Sequence, residues 1–187
     1  VAHVHQQMQE NQEELDYLEG IMAQIDVASP KDLVDIRLEL QQQGYLRKQK
    51  SGKKGNKRQK VSKPDQFYAS DGTKIWVGKN NLQNDQLTLH TAKKTDIWLH
   101  VKDIPGSHVI IDSSDPSEKT LLEAAKLAAY FSKARDSANV PVDWIGVKKI
   151  RKPNGAKPGF VIYEGQKTVS VTPDADLVAK LRNPPTK

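Results

Sequence analysis

The chain has 187 residues, no cysteine, 36% hydrophobic residues and a net charge of +6, with a mean hydropathy of −0.68. That length holds one ordinary domain plus an appendage, and the low apolar content predicts that part of it is extended. A disulfide framework and thiolate zinc sites are excluded, which fits a reducing cytoplasm, and no apolar run approaches the roughly eighteen residues of a membrane span. The first residue is Val1 rather than methionine, as expected of a fragment, so the missing signal peptide carries little weight.

Charge is segregated along the chain. Residues 1–46 carry two basic and nine acidic residues, whereas residues 47–63 carry nine basic and no acidic ones. A basic stretch joined to a moderately basic domain is the electrostatic footprint of a partner rich in phosphate.

Val1, Val4, Met8, Asn11, Leu15, Leu18, Met22 and Ile25 fall at alternating spacings of three and four. This heptad pattern predicts a coiled-coil seam, and nothing else in the chain offers it a partner. Ser29-Pro30-Lys31-Asp32 predicts a helix restart with Pro30 in the first turn, and Gly44 is placed to stop it. The helical arm is therefore expected over residues 1–46. A basic, solvated linker is expected over 47–64, acting as a tether or as a phosphate-contacting arm.

From residue 65 to 187 the pattern changes to short strands and turns. Strands are predicted around Tyr68, over Lys74–Gly78, Gln86–His90, Asp96–Val101, Val109–Ile111, Val142–Ile150, Phe160–Tyr163 and Lys167–Val171. Asp71-Gly72, Asn80-Asn81, Pro153-Asn154-Gly155 and Glu164-Gly165 supply turns. One long helix is expected from about Pro116 to Arg135 and a short one over 174–182. The fold class is α+β: a largely antiparallel sheet with one long packing helix, preceded by the coiled-coil-type arm.

The Asp96–Ile111 hairpin is chemically unusual. Ile97, Leu99 and Val101 share one face, and Asp96, Trp98 and His100 share the other. A turn centred on Ile104 would set His100 against His108, Trp98 against Ile110, Leu99 against Val109, and Asp96 against Asp112. Opposed aspartates repel, so either a lysine or a metal relieves them or the register differs. Two histidines with nearby carboxylates could hold a divalent ion. Hydrogen bonds to neighbouring loops are the preferred reading, and no metal or cofactor is assigned.

Trp98 and His100 could stack on RNA bases, or Trp98 could lie beneath the helix. Ser107 and His108 point to opposite faces of a strand and so do not form a nucleophile–base pair. With no catalytic motif elsewhere, the chain is not expected to be an enzyme. Lys148, Lys149, Arg151, Lys152 and Lys157 surround a turn expected to project from the sheet, which suits phosphate contacts without sequence readout.

These residues also carry a family resemblance. Asp71-Gly72 with Ile75-Trp76-Val77-Gly78-Lys79-Asn80-Asn81, Asn84-Asp85, Asp96-x-Trp98-x-His100, Pro105-Gly106-Ser107-His108-Val109 and Glu123-Ala124-Ala125 resemble the C-terminal NFACT-R domain of the RqcH/fibronectin-binding protein A family. The likeness covers about residues 65–175. Asp35-Ile36-Arg37-x-Glu39-Leu40 and Gln43-Gly44-Tyr45-Leu46 resemble the end of that family's coiled-coil arm.

The resemblance implies a cytoplasmic ribosome quality-control factor that binds the large (50S) ribosomal subunit carrying a stalled nascent chain. The full protein of that family uses alanyl-tRNA to add alanine tails; a fragment lacking the N-terminal NFACT-N and helix-hairpin-helix regions would not tail alone. Expected partners are the 50S subunit, rRNA and tRNA, with self-association through the unpaired arm. The alternative is a fibronectin/fibrinogen-binding adhesin at the cell surface. On this reading Asp96, Trp98, His100, Gly106, Ser107 and His108 shape an RNA- or ribosome-facing surface, and the basic turn supplies much of the attraction.

Overall fold

The computed structural model describes residues 1–48 and 60–187; most of the predicted basic linker, residues 49–59, lies outside the described residues. Two helices open the chain, α1 (Ala2–Asp26) and α2 (Pro30–Gln42). Pro30 occupies the first turn of α2, and Ser29 and Asp32 form a reciprocal capping box that satisfies two otherwise orphaned amides. Gly44 follows the helix with φ +83°, a conformation glycine adopts without steric cost.

Six antiparallel strands follow in the spatial order β1-β2-β4-β3-β5-β6. They are β1 (Asp65–Tyr68), β2 (Lys74–Val77), β3 (Ile97–Val101), β4 (Val109–Ile111), β5 (Val140–Gly146) and β6 (Lys167–Val171). The α+β expectation holds. Trp98 pairs with Ile110 and Leu99 with Val109, the register set by a centre at Ile104. Lys93 meets both opposed aspartates: its Nζ lies 2.8 Å from Asp112 Oδ1 and its amide donates to Asp96.

Both faces of the sheet are buried. On one, Ile75, Val77, Leu99, Val101, Val109 and Ile111 pack against Ala124, Ala125, Leu127 and Ala128 of α4 (Glu118–Tyr130); the small side chains let this helix lie close to the sheet. On the other, Trp98, Ile110, Ile145, Val147, Ile150 and Leu87 form a second, smaller core. Trp98 is therefore buried away from α4 rather than beneath it. The helix stops at Tyr130, short of the predicted Arg135: Phe131 turns into the core and the Ser132 hydroxyl donates to the Ala129 carbonyl. The predicted closing helix is α5 (Ala175–Leu181).

Two predicted strands are absent. Asn80 is not a turn residue but caps α3 (Asn81–Gln86), accepting a hydrogen bond from the Gln83 amide, and a π-type turn continues over Leu87–Thr91 where Gln86–His90 was expected to be extended. Phe160–Tyr163 forms a single bridge, Arg151 to Ile162. This segment lies against the sheet's second face, while β6 takes the edge position beside β5.

The arm is docked on the domain. Tyr17, Ile21 and Ile36 make a small core between α1 and α2. Asp32, Asp35 and Glu39 of α2 are buried against polar residues at the start of α3: Gln83 donates to Asp32 and Asp35, Asn80 to Asp35, and Asn81 to Glu39. Of the predicted seam, Leu18 packs against this small core, whereas Val1, Val4, Met8, Leu15, Met22 and Ile25 are exposed.

Candidate nucleic-acid interface

The hairpin residues form a cluster of rings inside the domain. Trp98 lies 5.7 Å from His100 in a stacked arrangement, 5.3 Å from His108 edge-on and 4.8 Å from Tyr163. Asp96, Trp98, Ser107 and His108 are all buried, with Trp98 1% exposed. A side chain so enclosed presents no free ring face, so the expectation that Trp98 stacks on a base is corrected: it supports the second core. Gly106 is also structural. It bridges Ser132, and a Cβ there would lie 2.7 Å from Val101.

His108 is held at both ring nitrogens. Nδ1 accepts from the Thr88 hydroxyl at 2.8 Å, and Nε2–H donates to the Gly159 carbonyl at 3.0 Å. This bond ties the loop after β5 to the sheet. Nearby, Asp143 accepts from Tyr163 and Thr168, with Lys102 at 3.4 Å. Thr88, Asp143, Gly159 and Tyr163 escaped the sequence reading because no local spacing joins them to the hairpin.

Burial, reinforced by repulsion from His100, pushes the His108 imidazole down to about 3; burial also lowers His100. An unfolded histidine titrates near about 6.5. The unfolded chain therefore takes up the proton first. Stability from His108 is complete above that value and is lost as pH falls, by up to about 1.4 kcal/mol per pH unit, until the native ring itself protonates. Unfolding free energies from urea titrations at about pH 7 and about pH 5.5 should differ by about 1 kcal/mol from this residue, and His108→Asn should reduce the difference. An unchanged difference in that variant would remove His108 as its source.

The basic turn divides into two groups. Lys152 Nζ contacts Asp85 at 3.2 Å and the carbonyls of Lys157 and Phe160. Lys157 Nζ lies 4.7 Å from the ring centre of Tyr17 and 6.0 Å from that of Tyr45. These two cations hold the loop on itself and on the arm, so the turn does not project freely. Lys148, Lys149 and Arg151 are exposed and make no ion pair among the described residues. The Lys148 amide donates to the Lys94 carbonyl, placing another exposed lysine beside them. Lys94 lay outside the predicted set, for it neighbours this cluster only through the β3–β5 pairing.

Residues 63–167 match the family described as NFACT protein RNA binding domain, and residues 1–60 match the NFACT N-terminal and middle domains. The junction of the two matches falls inside the predicted linker. The chain is 52% identical over 184 residues to the Rqc2 homolog RqcH of Bacillus subtilis (strain 168), covering 97% of this chain and 32% of that protein. For the Rqc2 homolog RqcH of Streptococcus suis (strain 05ZYH33), the values are 50% identity, 97% and 33%.

The solved structure of the C-terminal of the fibronectin/fibrinogen-binding protein from Streptococcus suis is 49% identical with a TM-score of 0.89, and the match covers 97% of this chain and 73% of that one. The chain thus spans about a third of the length of the curated relatives it matches. With the RNA-binding-domain match covering more than half of its residues, and the motif resemblance read from the sequence agreeing with it, this chain belongs to the NFACT family.

Proposed function

We propose that this chain is the RNA-binding, non-catalytic C-terminal region of a cytoplasmic ribosome quality-control factor. It docks on large ribosomal subunits carrying stalled nascent chains, and the full protein supports alanine tailing with alanyl-tRNA. The observation that carries the reading is the conjunction of the RNA-binding-domain match with the exposed cations Lys148, Lys149 and Arg151, which make no ion pair among the described residues. Cations without internal carboxylate partners are free to displace counterions from phosphate, the main source of non-specific nucleic-acid affinity. The exposed seam of α1 supports self-association of the isolated chain, which sedimentation velocity would register as a concentration-dependent increase in mass.

Co-sedimentation with 50S subunits over a salt series tests the reading. Wild type should bind with steep salt dependence. Lys148→Ala, Lys149→Ala, Arg151→Ala combined should weaken binding at least roughly 10-fold and lower the log–log salt slope by about 2 to 3. Equal slopes for the two proteins would remove this face from the contact.

A second reading follows from the fibronectin/fibrinogen-binding name of the structural relative: a surface adhesin. Fibronectin binding measured in parallel discriminates the two. Tight, salt-insensitive binding to fibronectin without ribosome binding would favour the adhesin.

A further inference from the structure

The segment after the basic turn alternates. Val161 and Tyr163 pack inward on the second core, whereas Phe160 is 55% exposed and Ile162 39% exposed. Residues two apart on an extended segment share a face. Arg151 pairs directly with Ile162, its amide donating to the Ile162 carbonyl and its carbonyl accepting from the Ile162 amide. Arg151, Ile162 and Phe160 therefore occupy the outward side of one small ribbon, with exposed Lys148 and Lys149 immediately before it. Lys149 Nζ reaches back to the Gly165 turn, so its charge stays beside the ribbon. One exposed carboxylate, Glu164, adjoins this turn.

The ribbon is fixed from behind. Gly159, at φ +82°, donates its amide to Asp85 and its carbonyl accepts from His108. A Cβ at Gly159 would lie 2.4 Å from Asn81 Oδ1, so the backbone there sits flush against α3. Lys152 holds the Phe160 carbonyl from the inner side. The Phe160 ring is therefore an exposed aromatic on an anchored backbone rather than the end of a loose loop. Its conformational cost of engaging a ligand is correspondingly small.

An exposed phenylalanine bordered by the exposed cations Arg151, Lys148 and Lys149 is poorly suited to duplex RNA, whose bases are already stacked and whose deep groove excludes side chains. It suits an unpaired nucleotide: the base stacks on the ring while the flanking phosphates meet Arg151 and the lysines. Resting on the RNA-binding reading above, we infer that Phe160 is the base-stacking residue of this domain and that the face it shares with Arg151, Lys148 and Lys149 selects single-stranded over duplex RNA. The aromatic contact thus falls to a residue of the anchored loop instead of to the buried Trp98.

The test uses the whole chain with a fluorescent uridylate oligonucleotide of about ten residues and an RNA duplex of similar length. Wild type should bind the single strand more tightly. Phe160→Ala should weaken single-strand binding roughly 10-fold, leaving duplex binding and the salt slope unchanged, and Phe160→Trp should restore it. The side chain is mostly in solvent, so both variants should fold; circular dichroism and the urea midpoint check this. If Phe160→Ala binds the single strand as wild type does, the inference fails while RNA binding stands. The same holds if that variant loses 50S co-sedimentation alone, which would make Phe160 a protein contact. If wild type binds neither RNA, the RNA-binding reading itself fails.

Discussion

Trp98→Ala should lower the stability of the folded chain by about 3–5 kcal/mol, a large share of the roughly 5–15 kcal/mol that holds most domains folded. The ring is almost fully buried and touches Tyr163, His100 and His108. Nothing small can fill that volume, and the loop carrying Tyr163 would lose its main support. Trp98→Phe should cost far less, because Trp98 Nε1 has no hydrogen-bond partner among the described residues and phenylalanine removes that unpaired donor while keeping a ring. Urea unfolding compares the two variants. A Trp98→Ala protein with a wild-type midpoint but weakened RNA binding would show that the ring contacts ligand and would overturn its placement in the core.

Asp32→Ala should be nearly as severe, at about 3 kcal/mol. Asp32 is fully buried and meets buried Lys79 at 3.4 Å; its carboxylate also receives bonds from Gln83 and from the Ser29 amide and hydroxyl. Burial opposes the charge, but these bonds and Lys79 outweigh it and hold the carboxyl below its usual range. Removing the carboxylate takes one of two partners from a buried ammonium and dissolves the capping box of α2. The loss stays near the lower end of the range for broken buried pairs because Asp65 remains 3.6 Å from Lys79. Hydrogen exchange should show α2 amides opening first, with β3 still protected. The double variant Asp32→Ala, Lys79→Met should recover part of the loss, since it leaves no unpaired charge. Uniform exchange across α2 and β3 would instead mean that the arm and the domain unfold as one unit.

These two residues also show how far the sequence could be read. The hairpin register followed from alternation on both strands, and the restart at Pro30 followed from its fixed φ and missing amide. Alternation assigned Trp98 to the face opposite Leu99, but it gives no information about what covers that face. The cover comes from Tyr163 and Val161, more than sixty positions along the chain. The apparent strand at Gln86–His90 failed for a similar reason: Leu87 and Leu89 alternate, yet the Asn80 cap and its contacts with Asp32 and Asp35 start a helix there. Among the cations, composition predicted a cluster, while only the fold separates Lys152 and Lys157, which hold the loop, from Lys148, Lys149 and Arg151, which are free to meet a ligand.

The anchoring of α1 has a mechanical consequence. The helix is gripped along its second half, by Tyr17, Ile21 and the bond from Gln24 to Asn81, with a forward brace where Tyr45 donates to Glu14. The turns before Glu14 form a lever that lengthens by about 1.5 Å per residue. A tilt of about 10° at its fulcrum moves a point about 18 Å out along the helix by about 3 Å. The fulcrum includes Tyr17 and Tyr45, the two rings over which Lys157 rests. Torque on the arm is thereby delivered to the loop that carries Phe160 and Arg151.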